Sequence, residues 1–490
     1  MNVKKLISMV FALVMLLAMS ATAMAANAEI TVKDDRTYEV YQIFTGDLHD
    51  TTLTNVKWGV NGTGTTGEAV PQETLNKLAA LSNTQVDAPK LAEIEKYVDL
   101  NSTPVATVSA SKPESVATGY YLLKDVTPTL EAGEEYSEFV VEIVGPTEIS
   151  GKVSNVTSEK KVKDTNDSVA GSTSDWQDSA DHDIGDDVTF LLKGTVTGKY
   201  DNYSTYYYAF HDTLSAGLSF NNDVVVKVDG VKIEAGYEVV TANLEDGCTF
   251  EVRFNNLKDI TDVKAGSVIT VEYSAKLNSQ AVIGADGNPN TMHLEYSNNP
   301  NDESDKGVTP EDTVIVFTYK VVVTKVDQDK QPLAGAKFTL KKKNAEGTYV
   351  PVGEEKVTTD VEGGNVLVWE RLDDGDYILE EDAPAGYNRM KPIKFSIVAG
   401  HVEVVEEPSD IPTLESLNGN VVTGEVEFAE VEFAVDKGEG SLSTTIVNQK
   451  GATLPETGAQ GTKMLYIVGG ILVAAAVVLL IVKRRMDSAE

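Results

Sequence analysis

The 490-residue chain carries 76 acidic against 41 basic residues, a formal net charge of −35, which argues against nucleic acid as a partner and for a soluble, self-repelling surface. Its single cysteine, Cys248, excludes a disulfide within the chain. Five scattered histidines without paired spacing suggest no zinc site or Ser-His-Asp triad, so neither a metal nor a cofactor is expected.

Residues 1–25 read as a secretory signal peptide: Lys4 and Lys5 precede an apolar run over 6–19 and then small residues. Ala23-Met24-Ala25 fits an A-x-A cleavage site, and Ala26-Asn27-Ala28 fits nearly as well. The remaining length suggests roughly three domains. Alternating runs rich in Val, Thr, Tyr and Ile, broken by Gly, Asn and Asp, predict a mainly all-β chain. Helical signals are confined to about 72–81 and 90–98, inside the first domain (26–150).

That first domain opens with Tyr38-Glu39-Val40-Tyr41-Gln42-Ile43-Phe44 and closes near Gly119-Tyr120-Tyr121-Leu122, two strand-like runs that resemble the N-terminal domains of major pilins. At its boundary with the next domain stands Ser150-Gly151-Lys152, an exposed seam. In the resembling pilins this seam carries a Tyr-Pro-Lys motif whose lysine accepts the next subunit. Here Ser-Gly-Lys replaces it, and the resemblance implies Lys152 as the acceptor.

The second domain (151–315) runs through Val156 to Val162, Asp183-Ile184-Gly185-Asp186, Phe210-His211-Asp212-Thr213-Leu214 and Leu294-Glu295-Tyr296-Ser297-Asn298. These blocks resemble the pilin domain that forms an internal Lys–Asn isopeptide bond. Strand alternation puts Val156, Lys160 and Val162 on one face and Met292, Leu294, Tyr296 and Asn298 on another, with Lys161 and Asn299 the competing neighbours. The third domain (316–450) contains Val323-Thr324-Lys325, Pro332-Leu333-Ala334-Gly335-Ala336, Glu380-Glu381-Asp382-Ala383-Pro384-Ala385-Gly386-Tyr387 and Ile446-Val447-Asn448. It resembles a Cna-B type domain, so tandem immunoglobulin-like (Cna-type) β-sandwiches are expected. A long stretch over 407–441, absent from compact versions, is expected to hold an extra hairpin.

A buried lysine loses its proton more readily and becomes nucleophilic, and a carboxyl group beside it can stay protonated and shuttle protons. Lys160 with Asn298, and Lys325 with Asn448, are therefore the expected isopeptide pairs. The resemblance implies Asp212 and Glu380 as the catalytic carboxyls. A bond between first and last strands would shunt force past the sheet.

The chain ends with Leu454-Pro455-Glu456-Thr457-Gly458, a 19-residue apolar segment over 464–482, roughly 28 Å as a helix, and a basic tail over 483–490. Together these resemble the LPXTG sorting signal of Gram-positive surface proteins. The resemblance implies cleavage between Thr457 and Gly458 by a sortase, a membrane precursor and attachment to the cell wall. The whole then resembles a major pilin. Its implied partners are pilus-specific and housekeeping sortases, copies of itself in a head-to-tail polymer, minor pilins and peptidoglycan, in a surface pilus for adhesion. The alternative is an unpolymerised wall-anchored adhesin or minor pilin. An enzyme is the least expected reading, since the only chemistry in view occurs once per molecule.

Overall fold

A computed structural model describes residues 27–80, 88–151 and 155–451. The signal peptide, Lys152, the sorting motif and the apolar segment over 464–482 lie outside the described residues. Among those described, no helix is long and apolar enough to cross a membrane.

Period-two alternation builds most of the molecule. In strand Asn27–Val32, Ala28, Ile30 and Val32 turn inward, and in Val268–Leu277 every second residue from Ile269 to Leu277 is buried. The chain is accordingly mostly strand, arranged as paired sheets around separate apolar cores. The first spans Ala28 to Ile149 in two clusters, the second Val156 to Val316, and the third Ile315 to Ile446.

The first region pairs a three-stranded with a five-stranded sheet. Helices Gln72–Ala80 and Ala88–Glu95 bring Leu75, Leu78, Leu91 and Ile94 against Phe44, Trp58 and Tyr120. In the second region a seven-stranded sheet faces a six-stranded one. Its first strand, Ser158–Val162, lies at the edge of the smaller sheet beside Asp187–Thr195. The larger sheet has Tyr208–Leu214 between Phe250–Phe254 and Asn288–Ser297. Asn288–Ser297 is not the last strand of this region: Asp312–Phe317 follows and pairs with it.

In the third region the first strand, Tyr319–Asp327, runs parallel to the last, Ser441–Asn448, within a four-stranded sheet. The stretch over 407–441 forms no hairpin of its own. Its strand Leu414–Val421 extends the larger sheet beside Ile393–His401, while Ala434–Asp436 extends the smaller one beside Ser441–Asn448. The extra residues widen both sheets because each half finds a different unpaired edge.

Side chains and backbone lock the regions together. Gly133 donates to Val308 O (2.7 Å) and accepts from Val156 N (2.8 Å), while Glu135, fully buried, accepts from Tyr203 Oη (3.0 Å) and Thr197 Oγ1. At the other junction Lys342 Nζ lies 2.5 Å from Asp183 and 2.9 Å from Asp373, carboxylates that hold its pKa above the usual lysine range against the cost of burial. Gly284 (φ 93°) and Gly440 (φ 60°) meet backbone to backbone there. A Cβ at Gly440 would fall 2.6 Å from the Gly284 Cα, which excludes any larger residue without a shift of the joint.

Candidate functional site

Two buried lysines, one in each of the last two cores, are the centres of reactive clusters. Alternation on Ser158–Val162 buries Lys160 and Val162, leaving Lys161 on the other face, where it pairs with Asp178 at 2.6 Å. Lys160 has no exposed surface. Its Nζ donates to Asp212 Oδ2 and to Tyr273 Oη (3.1 Å), and Tyr273 Oη donates to Asp212 Oδ1 (3.0 Å). Asn290 Nδ2 donates to the same Tyr273 oxygen at 2.8 Å, and Asn290 Oδ1, also buried, has no hydrogen-bond partner.

Burial dominates the electrostatics. Desolvation lowers the Lys160 pKa and raises that of Asp212, each opposed by the attraction of the other. Both shifts favour the uncharged pair, an amine beside a carboxylic acid. Phe190 and Tyr273, stacked at 5.4 Å, wall the pair off.

The expected partner Asn298 is placed elsewhere. Asp212 pairs across the sheet with Met292, and Asp312, which accepts the Lys160 backbone N–H at 2.7 Å, pairs with Met292 from the other side. Lys160 thus sits at the level of Met292. Asn290 is two residues along the same face, whereas Asn298 is six residues away in the other direction, roughly 20 Å at the rise of a strand. Asn298 instead offers its carbonyl to Tyr136 N–H (3.0 Å) at the junction with the first region. The next residue, Asn299, binds Asp305 at 3.2 Å.

In the third core Lys325 is also fully buried. Its Nζ lies 3.4 Å from Glu381 Oε1 and donates to Ile446 O at 3.1 Å and Val326 O at 3.3 Å. Desolvation lowers its pKa, with Glu381 opposing. The parallel register sets Lys325 opposite Ile446 and Asp327 opposite Asn448. Asn448 is buried with neither side-chain atom hydrogen-bonded. Such an orphaned amide costs on the order of 1–3 kcal/mol while it stays unpaired.

The implied carboxyl Glu380 is not at this site. Strand Gly375–Asp382 buries Tyr377, Leu379 and Glu381, so Glu380 turns outward and pairs with Lys341 at 2.9 Å. Glu381 holds its second oxygen toward Met390 N–H (3.1 Å) and leaves Oε1 for the lysine. The buried side chains beside the two lysines include Asn290 and Tyr273, which sequence reasoning does not single out, and Glu381, the neighbour that stands as the alternative to Glu380. Alternation makes the inward turn of Glu381 readable but does not separate Asn290 from Asn288 and Asn298 on the same face, and Tyr273 gives no signal beyond being an inward aromatic. In the first region, no lysine is buried among the described side chains; its buried cation is Arg36, bound to Asp125 at 3.0 Å.

Each cluster therefore holds an amine, a carboxyl and an amide in an apolar core, the groups needed for amide exchange between side chains.

Comparisons with known proteins agree with this architecture. Residues 184–300 match a family described as Gram-positive pilin backbone subunit 2, Cna-B-like domain; residues 319–408 match the SpaA prealbumin-like fold domain; and residues 446–488 match the LPXTG cell wall anchor motif. The chain is 28% identical over 332 residues to the trypsin-resistant surface T6 protein of Streptococcus pyogenes serotype M6, covering 56% of this chain and 60% of that protein. The solved structure of the T6 backbone pilin of serotype M6 Streptococcus pyogenes, described as modular and three-domain, superposes with a TM-score of 0.51 at 19% identity. That superposition covers 87% of this chain and 98% of the other.

Proposed function

Because its modules and wall anchor are those of the backbone pilins of Gram-positive bacteria, we propose that the chain is the structural major subunit of a covalent surface pilus. It is a cell-wall-anchored surface protein. Sortase cuts after Thr457 and passes the Thr457 acyl group to Lys152 of the next subunit, joining copies head to tail, until a final transfer to peptidoglycan fixes the polymer. Gly151 N–H is held by Asp34 Oδ2 at 2.5 Å and Asn155 bridges to Glu134, so the chain on both sides of Lys152 is anchored at the junction between regions.

Inside each subunit two isopeptide bonds form without an enzyme. The neutral Lys160 Nζ attacks Asn290 Cγ; the Nζ–Cγ bond forms, the Cγ–Nδ2 bond breaks, and ammonia leaves. Asp212, protonated by burial, hydrogen-bonds the amide oxygen and relays the amine proton to the leaving nitrogen. Tyr273 holds the amide and carboxyl in register. Lys325, Glu381 and Asn448 act in the same way in the third region. Fixing the three groups in one core replaces several kcal/mol of activation.

The observation that carries this reading is the occurrence, in one wall-anchored chain, of two fully buried lysines, each against a carboxyl group, with a buried asparagine nearby whose side-chain oxygen has no hydrogen-bond partner. An immunoblot of cell-wall extract tests it. A ladder of high-mass bands that resists boiling in detergent is expected, collapsing to one band when Thr457 is deleted. A single band from the unaltered chain would contradict polymerisation and point to a monomeric wall protein.

A further inference from the structure

Asp212 faces the core, so its neighbour His211 faces out, onto the far side of the larger sheet of the second region. There the register lines up three residues across three strands: His293, His211 and Glu251. The His293 ring stacks on His211 at 4.7 Å, and Glu295 lies one step further along the same face. The loop leading into Phe250–Phe254 brings Asp246 and the chain's only cysteine, Cys248, over this row.

The distances converge on one nitrogen. His211 Nδ1 is 2.8 Å from Asp246 Oδ2, 3.6 Å from Glu251 Oε1 and 3.9 Å from Cys248 Sγ. The four donor atoms of His211, Asp246, Cys248 and Glu251 all lie within 4.8 Å of one another. The other ring nitrogen, Nε2, is buried without a hydrogen bond and looks toward Glu295 Oε2 at 3.7 Å; the whole His211 residue is only 8% exposed. Arg253 occupies Glu251 Oε2, leaving Oε1 toward the cluster. Asp246 stands at the solvent edge and gives access.

We propose that this outer face binds one zinc-class divalent cation through His211 Nδ1, Cys248 Sγ, Asp246 and Glu251. Thiolate, imidazole and carboxylate together suit Zn²⁺ rather than Ca²⁺ or Mg²⁺, which favour all-oxygen shells. Four donors at these separations need only a small inward movement to reach Zn–N and Zn–O near 2.0–2.1 Å and Zn–S near 2.3 Å. Ligation through Nδ1 leaves the proton on Nε2 to be donated to Glu295, the carboxylate–histidine–metal arrangement that orients such ligands. His293, stacked alongside, fixes the ring plane. Binding replaces the S–H bond by a metal–sulfur bond and releases that proton to solvent. No sequence spacing announced the site, because its ligands come from two neighbouring strands and a loop rather than from one paired motif.

The competing state is a protonated His211 that neutralises the carboxylates with no metal. Chelator-treated exported chain, without leader and anchor, titrated with Co²⁺ and then Zn²⁺, separates the two. One equivalent of Co²⁺ is expected to give tetrahedral d–d absorption and a thiolate-to-cobalt charge-transfer band, both erased by Zn²⁺. Zn²⁺ should also slow labelling of Cys248 by a maleimide. Cys248→Ser should abolish the charge-transfer band, and His211→Gln, which removes a ligand atom, should weaken binding by no less than the roughly 10–100-fold that losing an outer-shell partner costs. No charge-transfer band with unchanged Cys248 labelling would overturn the proposal, and so would an affinity in both variants unchanged from that of the unsubstituted chain. The labelling readout needs only the unsubstituted chain, so a variant that fails to fold leaves the test intact.

Discussion

An amine with no exposed surface, pressed against a carboxyl group in an apolar core, loses the hydration that stabilises its charge; Lys160 and Lys325 both stand in that condition. Whether each becomes a crosslink depends on which asparagine and which carboxyl the strands bring up. The folded exported chain should weigh two ammonia molecules less than its sequence by intact-mass measurement. Asn290→Ala should reduce the deficit to one, while Asn298→Ala should leave it at two; the reverse result would return the bond to Asn298. Glu381→Ala should likewise remove one ammonia loss and Glu380→Ala none. Both lysines were legible because inward alternation and the block resemblances agree on them, and Asp212 from the block resemblance alone. The asparagine was not: Asn288, Asn290 and Asn298 share one strand face, and only the cross-strand register with Asp212 chooses among them. The resemblance points to Glu380, whereas the alternation of Tyr377, Leu379 and Glu381 turns Glu381 inward and leaves Glu380 to Lys341. Asp312 offers a pH test. Burial raises its pKa from 3.8 to about 6, so ionising it in the folded state opposes folding, and that cost is absent below pH 3.8 and complete above about 6. Asp312→Asn keeps an acceptor for Lys160 N–H and should stabilise the protein at pH 7.5 by up to about 3 kcal/mol, with no gain at pH 3.5. Denaturant unfolding at the two pH values checks it; equal effects at both would show that the carboxyl is not held protonated.

The two proposed bonds would clamp their domains differently because they join different strands. In the third region Lys325 and Asn448 stand on the first and last strands, which are adjacent and parallel, so the bond would close the domain across its entry and exit. In the second region Asn290 lies on the penultimate major strand. Asp312–Phe317 follows it and carries the chain out, held by hydrogen bonds to Asn288–Ser297 and by its parallel pairing with Ser179–Asp181. Stretching single molecules should therefore show no extension between Lys325 and Asn448. The second region should yield one short step, roughly 90 Å for the residues from 290 to 317 at about 3.4 Å each. A step corresponding to the whole second region would mean that its bond is absent. The strand alternation made most of these elements legible. The late strand Asp312–Phe317 was not, because its apolar run continues almost without a break into Tyr319–Asp327 and reads as one element of the next domain. The two helices were legible from periodicity, whereas the division of 407–441 between two sheet edges depends on which edges are open.

Along the molecule, a rod under tension requires stiff modules, firm joints and covalent links between copies. The joints are built from buried polar groups, Glu135 at one and Lys342 with Asp183 and Asp373 at the other, and so resist sliding as well as separation. The first region has no buried lysine among its described side chains and relies on packing and the Arg36–Asp125 pair. It should be the first to melt and the first to be cut by protease, which limited trypsin digestion followed by peptide identification would show. The strong negative charge would keep free copies of the chain apart in the absence of a covalent link. In the proposed polymer Thr457 of one subunit is bonded to Lys152 of the next. That bond is tested most directly by digesting purified wall polymer and sequencing the branched peptides by mass spectrometry. A peptide in which the Thr457 carbonyl is linked to the Lys152 Nζ is expected. Recovery of Thr457 only on peptidoglycan cross-bridges, with every Lys152 free, would contradict it.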